Sequence, residues 1–503
     1  MPVRNLLARA PWWLIAIAAA YLYVFPYFPK INSANELPRV YLTRALVDEH
    51  RIEIDTGVAT WGGTADVSPS SGHSYSNKAP GSSFLAVPGY AAAKLVTEPS
   101  LAFSLWLCRF FAGIVPAILF LWLLWGFLAR FAPDPDVRRL VLVAYGLGSM
   151  AMTYSILFFS HQLAAVCVGS AWILAVEVTE RKRGLYAMAA AGALAGSALL
   201  VDYQAVFAAV PVAVLVVVRI IRWPRLDALR VLGAAAIGAA IPIAILLAYH
   251  AAAFGSPWRT GYDASTTWAS FHQQGFLGIT KLRWEAFWGS MVTPDNGLIT
   301  LAPWLLIGIP GAVTLAKKGE RAIVIVSVAV VVIYLLFISS INFWRGGWGV
   351  GPRYITAMLP FVLPFVAAQL QAWRARPLVL GAAAGTIVVG VVVYGLTTVT
   401  FPYWPDSLKN PLVEVTFRML GDNLVAPNVG SALGITGIAG VLPYLALVFG
   451  TLGYALHRAA TWRGMVFAFA IGAAIIAGVS QLPRSGANGE RVYGNVRTAV
   501  LDL

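Results

Sequence analysis

Asn32-Ser33-Ala34-Asn35-Glu36-Leu37-Pro38-Arg39 and Tyr75-Ser76-Asn77-Lys78-Ala79-Pro80-Gly81 bracket a polar segment that follows the first apolar run of the chain. Between them lie the carboxylates Asp48, Glu49, Glu53, Asp55 and Asp66. Long apolar runs and short basic loops make up most of the remaining sequence. A long polar loop kept directly after a first membrane span marks the place where chemistry is expected.

Of the 503 residues 59% are hydrophobic and 12% charged, and the mean hydropathy is +0.73. Many runs exceed the roughly 18 apolar residues that a spanning helix needs. Length alone would suggest about three soluble domains, but the repeated runs indicate an all-α polytopic membrane protein with one integral membrane domain over 1–503. Cys108 and Cys167 both sit in apolar runs and read as core residues, forming neither a disulfide framework nor a metal motif. The net charge of +14 resides largely in short loops between apolar runs, where positive-inside topology explains it. Nucleic acid is not an expected partner.

Arg4 and Arg9 precede an apolar run over 12–28, read as an uncleaved first span although Ala18-Ala19-Ala20 faintly resembles a signal-peptidase site. Further runs follow at about 101–129, 140–159, 162–179, 185–201, 204–220, 231–253, 298–315, 322–341, 355–373, 378–398, 433–455 and 465–482. Counted through, thirteen spans place six short basic connections on the side of Arg4 and Arg9, with the N-terminus cytoplasmic. The loops at 30–100, 255–297, 342–354 and 399–432 fall on the other, outer side. In the first loop Asn35 suits an N-cap and Pro38 a first helical turn, so residues 36–49 are predicted as a short interfacial helix. Residues 51–55 are expected to be extended and 62–72 a loop. A second interfacial helix is predicted at about 84–96.

The outer loops hold the candidate site. Glu36 is the preferred general base, Asp55 the second choice and Asp66 the third; a first-turn Glu complementing the helix dipole is the plainer reading. Lys78, before a stiff Ala-Pro-Gly turn, suits phosphate as a point charge, and Arg39 either pairs with Glu36 or reaches phosphate. Arg353 opens a membrane helix after the Gly-rich stretch 342–352, at a depth where an unpaired guanidinium is costly. Tyr75, Tyr262, His272, Arg345 and Tyr354 are candidate substrate contacts. His161-Gln162 reads as a tight outer turn. Arg109 and Asp202 fall in or near spans, where they either line the cavity or pair with each other. No metal ligand set is visible.

These motifs resemble the GT-C superfamily of membrane glycosyltransferases, nearest to the branch of the protein O-mannosyltransferases and the lipid A aminoarabinose transferases. Asn35-Glu36-Leu37-Pro38-Arg39-Val40 resembles an Asp-Glu-x-x-Arg-Tyr arrangement, and Lys78-Ala79-Pro80-Gly81 a Lys-Pro-Pro motif. Gly351-Pro352-Arg353-Tyr354 is similar to a segment of bacterial members. Two departures stand out: Asn35 replaces the first acid, and no large soluble C-terminal domain is present, so the loops would choose the acceptor. The resemblance implies a sugar donor linked to polyprenyl phosphate and a lipid, glycan or protein hydroxyl as acceptor. It further implies inversion, a first-loop carboxylate as base, and Lys and Arg on the phosphate. With no acidic cluster visible, no metal or other cofactor is expected. The site would face the periplasm from a bacterial-type inner membrane. The alternative is a lipid or glycan transporter (flippase), which should show internal repeats and mid-membrane charges.

Overall fold

The computed structural model describes residues 11–31 and 33–501; Arg4, Arg9 and Asn32 lie outside the described residues. Helix α1 spans Trp12–Tyr23. In the first loop come α2 (Leu37–Arg44), α3 (Asp55–Trp61), a two-stranded hairpin of β1 (Val67–Ser70) and β2 (His73–Ser76), and α4 (Gly81–Lys94). The body continues with α5 (Leu101–Leu128), α6 (Pro135–Leu147), α7 (Met150–Ile156), α8 (Ser160–Thr179), α9 (Leu185–Val201), α10 (Val206–Ile220) and α11 (Arg225–Phe254). After the short α12 (Trp284–Val292) follow α13 (Pro303–Lys317), α14 (Arg321–Ser340), α15 (Leu359–Trp373), α16 (Pro377–Val399), α17 (Gly437–Ser480) and α18 (Ala487–Leu501).

Among the described residues eight helices are long and apolar enough to cross a membrane, and α1, α9 and α13 are shorter apolar helices. The run expected at 140–159 is broken at Gly148-Ser149, where the Ser149 hydroxyl accepts from the Ala151 amide and starts α7. The runs at 433–455 and 465–482 lie on one helical element, α17, interrupted at Thr461 with φ 63°. Its two halves both lie against α16: Tyr444 donates to the Gly395 carbonyl at 2.9 Å, while Gly464 and Gly472 pack on Gly381 and Val388. The chain therefore doubles back at Thr461, and Arg374 caps the Arg458 and Ala459 carbonyls just before the bend. Backbone groups freed at such a break need partners because hydrocarbon offers none.

Helices α8 and α15 form the centre, whereas Leu119, Ile237, Ile309 and Ile325 point out of the bundle as an apolar surface suited to lipid. The short basic connections gather at one end. Arg130 reaches Glu180 and Glu320, each at 2.6 Å, Arg374 reaches Asp134 at 2.8 Å, and Arg458 reaches Asp136 at 3.3 Å. The four long loops gather at the other end, tied by Ser68 to Gly261 at 2.9 Å, Thr280 to Asn342 at 2.9 Å and an Arg345–Asp295 pair.

The first loop differs locally from its reading. Helix α2 starts at Leu37 and passes into a wider turn through Glu49, as expected for 36–49, but Asn35 does not cap it; its side chain instead accepts from Arg39. Residues 62–72 are not all loop, because Val67–Ser70 pair with His73–Ser76 around Ser71 and Gly72, both at positive φ (50° and 83°). That is the backbone a two-residue hairpin requires. Asp55 opens a helix rather than ending a strand, and α4 begins three residues earlier than predicted.

Helices α9 and α11 pack backbone to backbone, since a Cβ at Gly192 would strike the Ala235 carbonyl and one at Gly238 the Ala189 carbonyl. Gly238→Val should therefore lower the stability of the purified protein by about 1–3 kcal/mol. Gly233→Val, on the same helix but facing open space, should leave the unfolding temperature in detergent nearly unchanged.

Candidate active site

The four long loops enclose a cavity of about 330 Å³. Hairpin register builds its first wall. Val67 pairs with Ser76, so Asp66 and Asn77 occupy the next position along the stem, where the Asn77 amide donates to the Asp66 carbonyl at 3.1 Å. Lys78 follows, and its Nζ lies 2.9 Å from Asp66 Oδ2. Eleven residues of chain lie between these two groups, and the turn at Ser71-Gly72 folds them together. Gly261 packs on the Asn77 backbone so closely that a Cβ would not fit, which brings the second long loop against the lysine turn.

That loop supplies Tyr262, Trp268 and His272. Trp268 Nε1 donates to Asp66 Oδ1 at 3.1 Å, and the Tyr262 ring lies 5.3 Å from Lys78 Nζ and stacks on His272 at 4.4 Å. Burial lowers the Lys78 ammonium below the ordinary lysine value, and Asp66 offsets this only in part. Burial, then the nearby Lys78 charge, pushes the His272 imidazole down to about 4, so it is neutral near pH 7.

The opposite wall is the Gly-rich stretch. Gly346, Gly347 and Gly351 have φ of 72°, 78° and 71°, values open to glycine at little cost. What the backbone approaches is its own arginine: Arg353 donates to the Gly346 carbonyl and, at 2.7 Å, to the Trp348 carbonyl. A Cβ at Gly349 would sit 2.9 Å from Arg353 Nη1. The guanidinium also lies 5.1 Å over the Phe159 ring. Arg353 thus stands at the cavity, buried and charged, with Nε lacking a partner. Beside it an apolar groove of about 170 Å³ shares Tyr262, His272 and Tyr354 with the cavity and continues along Phe207, Phe337 and Ile341.

Of the residues singled out in the sequence, the structure brings Asp66, Lys78, Tyr262, His272, Arg353 and Tyr354 to this one cavity. Glu36 does not line it. Its carboxylate has no exposure and holds Arg109 in a bidentate pair, both contacts at 2.9 Å. It also accepts from the Tyr403 hydroxyl and the Phe158 amide, each at 2.6 Å. With four donors on two oxygens, it has no lone pair directed at a substrate. Arg109 therefore pairs with Glu36 rather than with Asp202, and Arg39 does not pair with Glu36. Arg39 instead reaches Asn35 and, at 3.0 Å, Ser160, whose hydroxyl bonds Asp202 at 3.2 Å. Asp202 in turn holds His161 Nδ1 at 2.9 Å.

Asp55 is half exposed and lies outside the cavity, bonded to His73 and the Ser74 amide, each at 2.7 Å. Slight burial works against its charge, but these two donors outweigh it and hold the carboxyl below its usual range. Tyr75 packs under the loop against Phe254, and Arg345 pairs with Asp295 on the rim. Sequence reasoning missed Phe159, Trp268, Tyr403 and Asp406, all of which face the cavity. None sits in a motif; an aromatic-rich outer loop was the only signal, and interface anchoring explains that equally well.

No family model and no curated protein matches the sequence. Among solved structures the chain is similar to ArnT from Cupriavidus metallidurans in the apo state, with a TM-score of 0.52 at 14% identity over 95% of this chain and 77% of that one. It is also similar to arabinosyltransferase EmbB from Mycobacterium smegmatis, with a TM-score of 0.50 at 13% identity over 99% of this chain and 43% of that one. The shared architecture is the GT-C fold.

Glu36→Gln leaves the Arg109 guanidinium buried without its counter-charge and should cost about 3–5 kcal/mol; thermal unfolding with and without the substitution measures it. His272 gives a pH signature. Its folded-state value near 4 lies below the ordinary 6.5, so the unfolded chain takes up the proton first as pH falls. Between those two values the wild type should lose unfolding temperature faster than His272→Gln, and above 6.5 the difference should be constant.

Proposed function

From the GT-C fold and this cavity, we propose that the protein is a membrane glycosyltransferase. It moves a sugar from polyprenyl phosphate to a hydroxyl of a lipid, glycan or protein. The observation that carries the reading is the convergence of the buried carboxylate of Asp66, ion-paired with Lys78, and two buried cations, Lys78 and Arg353, on a cavity that continues into an apolar groove. A charged phosphate on a hydrocarbon tail needs both environments side by side. Aromatic rings around the rest of the cavity offer flat apolar surfaces to a sugar.

In this reading the donor phosphate lies between Lys78 and Arg353. Lys78 has three N–H donors, of which Asp66 uses one, leaving the others for phosphate oxygens. The acceptor oxygen attacks the anomeric carbon from the face opposite the phosphate, and the bond from that carbon to the phosphate oxygen breaks with its electron pair. The acceptor proton passes to the Asp66 carboxylate. Negative charge grows on the departing phosphate and is met by the two cations. The products are an inverted glycoside and free polyprenyl phosphate. Asp66 thus takes the role first assigned to Glu36 or Asp55, because it alone of the three stands in the cavity beside a cation. The basic end of the bundle would face the cytoplasm and the cavity the periplasm, by the positive-inside rule.

The test is turnover of a polyprenyl-phosphate sugar by reconstituted protein, followed as release of free polyprenyl phosphate. Asp66→Asn should lower kcat by about 10²–10⁴-fold with donor KM little changed, whereas Lys78→Met should raise donor KM as well. Wild-type turnover by a folded Asp66→Asn protein would remove Asp66 from the mechanism. Movement of intact donor across the membrane without cleavage would replace the transferase with a transporter.

A further inference from the structure

A second hollow, of about 300 Å³, lies at the end of the bundle opposite the cavity, where α8 ends and α9 and α11 begin. Arg181, Arg183, Arg230 and Trp223 line it, and Asp227 is its only acidic wall residue. The carboxylates around it are already engaged. Glu177 holds Arg183, Glu180 is shared by Arg130, Lys182 and Arg219, and Asp227 lies 3.7 Å from Arg230. Arg181 has no carboxylate partner among the described residues; its guanidinium lies 4.3 Å over the Trp223 ring.

Arg181 is also held at φ 59°, in the left-handed region that follows many helices and that Gly or Asn fills at least cost. A side chain kept there against that cost places its charge in the hollow. A third feature lies next to the lining residues in the chain. Tyr186 follows Leu185, Leu226 precedes Asp227 and Ile221 stands two residues before Trp223, and all three are exposed, apolar surface that a soluble anion would not need and a lipid chain would. A Trp at this level matches headgroup depth, and basic pockets between membrane helices suit anionic headgroups.

We propose that this hollow is a second phosphate-ester site, occupied by the headgroup of an anionic phospholipid and independent of glycosyl transfer. Arg181 donates two parallel N–H bonds to the phosphate with Trp223 as its backing, Arg183 and Arg230 share their donors with it, and the acyl chains lie along Leu226 and Ile221.

Full-length protein in vesicles of phosphatidylcholine with or without phosphatidylglycerol, released and examined by native mass spectrometry, tests this. The comparison is a double variant, Arg181→Asn with Arg230→Gln. Asn tolerates the left-handed backbone, so an unchanged unfolding temperature in phosphatidylcholine checks that the variant is folded. The wild type should retain one phosphatidylglycerol that the variant loses, and neither should retain phosphatidylcholine. Equal phosphatidylglycerol retention by both forms would overturn the proposal. Loss of the bound lipid from the wild type on adding inorganic phosphate would overturn its lipid half and assign the hollow to soluble phosphate esters.

Discussion

A carboxylate and a guanidinium, both sealed from water, join the loop-rich end to the membrane body. Glu36 lies just ahead of α2 and Arg109 within α5, while Tyr403 comes from the fourth long loop and the Phe158 amide from the entry to α8. Two ions removed from water cost several kcal/mol each, and the pair persists only where geometry and further hydrogen bonds recover that cost. Here the contacts are bidentate and each Glu36 carboxylate oxygen is shared by two donors, while Arg109 Nη1 is left without a partner. Asn35, Phe159 and Tyr403 border both this clamp and the cavity, so its position fixes part of the cavity floor. In this structure Glu36 is a buried partner of Arg109 that ties the first loop to α5.

The cavity itself arises from two local devices, each backed by residues from elsewhere: Gly261 and Trp268 against the lysine turn and Phe159 against Arg353. Hairpin register sets Asp66 beside Lys78, and a run of glycines lets backbone carbonyls close around Arg353. The helices decide that these two devices face each other. Helices α8 and α15, the central pair, both start at the cavity: Phe159 stands immediately before one, and Arg353 opens the short turn that leads into the other. Polar backbone outside helices can be satisfied only where protein or water supplies partners. The loops accordingly collect their chemistry at the bundle's end and leave its flanks to lipid.

The helical membrane class and the polar loops were legible in the sequence because each depends on composition over many residues, but the count of thirteen spans was not: among the described residues eight helices are long and apolar enough to cross and three more are shorter. Lys78, Tyr262, His272, Arg353 and Tyr354 were legible as well, since unusual neighbours marked each of them. The choice among carboxylates was not. Glu36, Asp55 and Asp66 look alike as isolated acids in one polar loop, and the motif resemblance favoured the first. The positions of Arg345 and Tyr75 and the cap expected of Asn35 were not legible for the same reason: a pair with Asp295, a seat against Phe254 and a bond to Arg39 all depend on residues brought from elsewhere or on side-chain rotation.

The sequence by itself determined where the chain meets lipid and where it meets water, because apolar surface and basic loops follow additive rules of transfer and charge. It also determined that a lysine and an arginine would stand at ends of rigid turns. Only the tertiary structure decided which acid is sealed and which faces the cavity. That outcome depends on Arg109, 73 residues from Glu36, and Tyr403, 367 residues away, arriving at the same two oxygens. A pairing over such separations leaves no periodic trace in the chain, because it is set by helix packing rather than by the residues beside the acid.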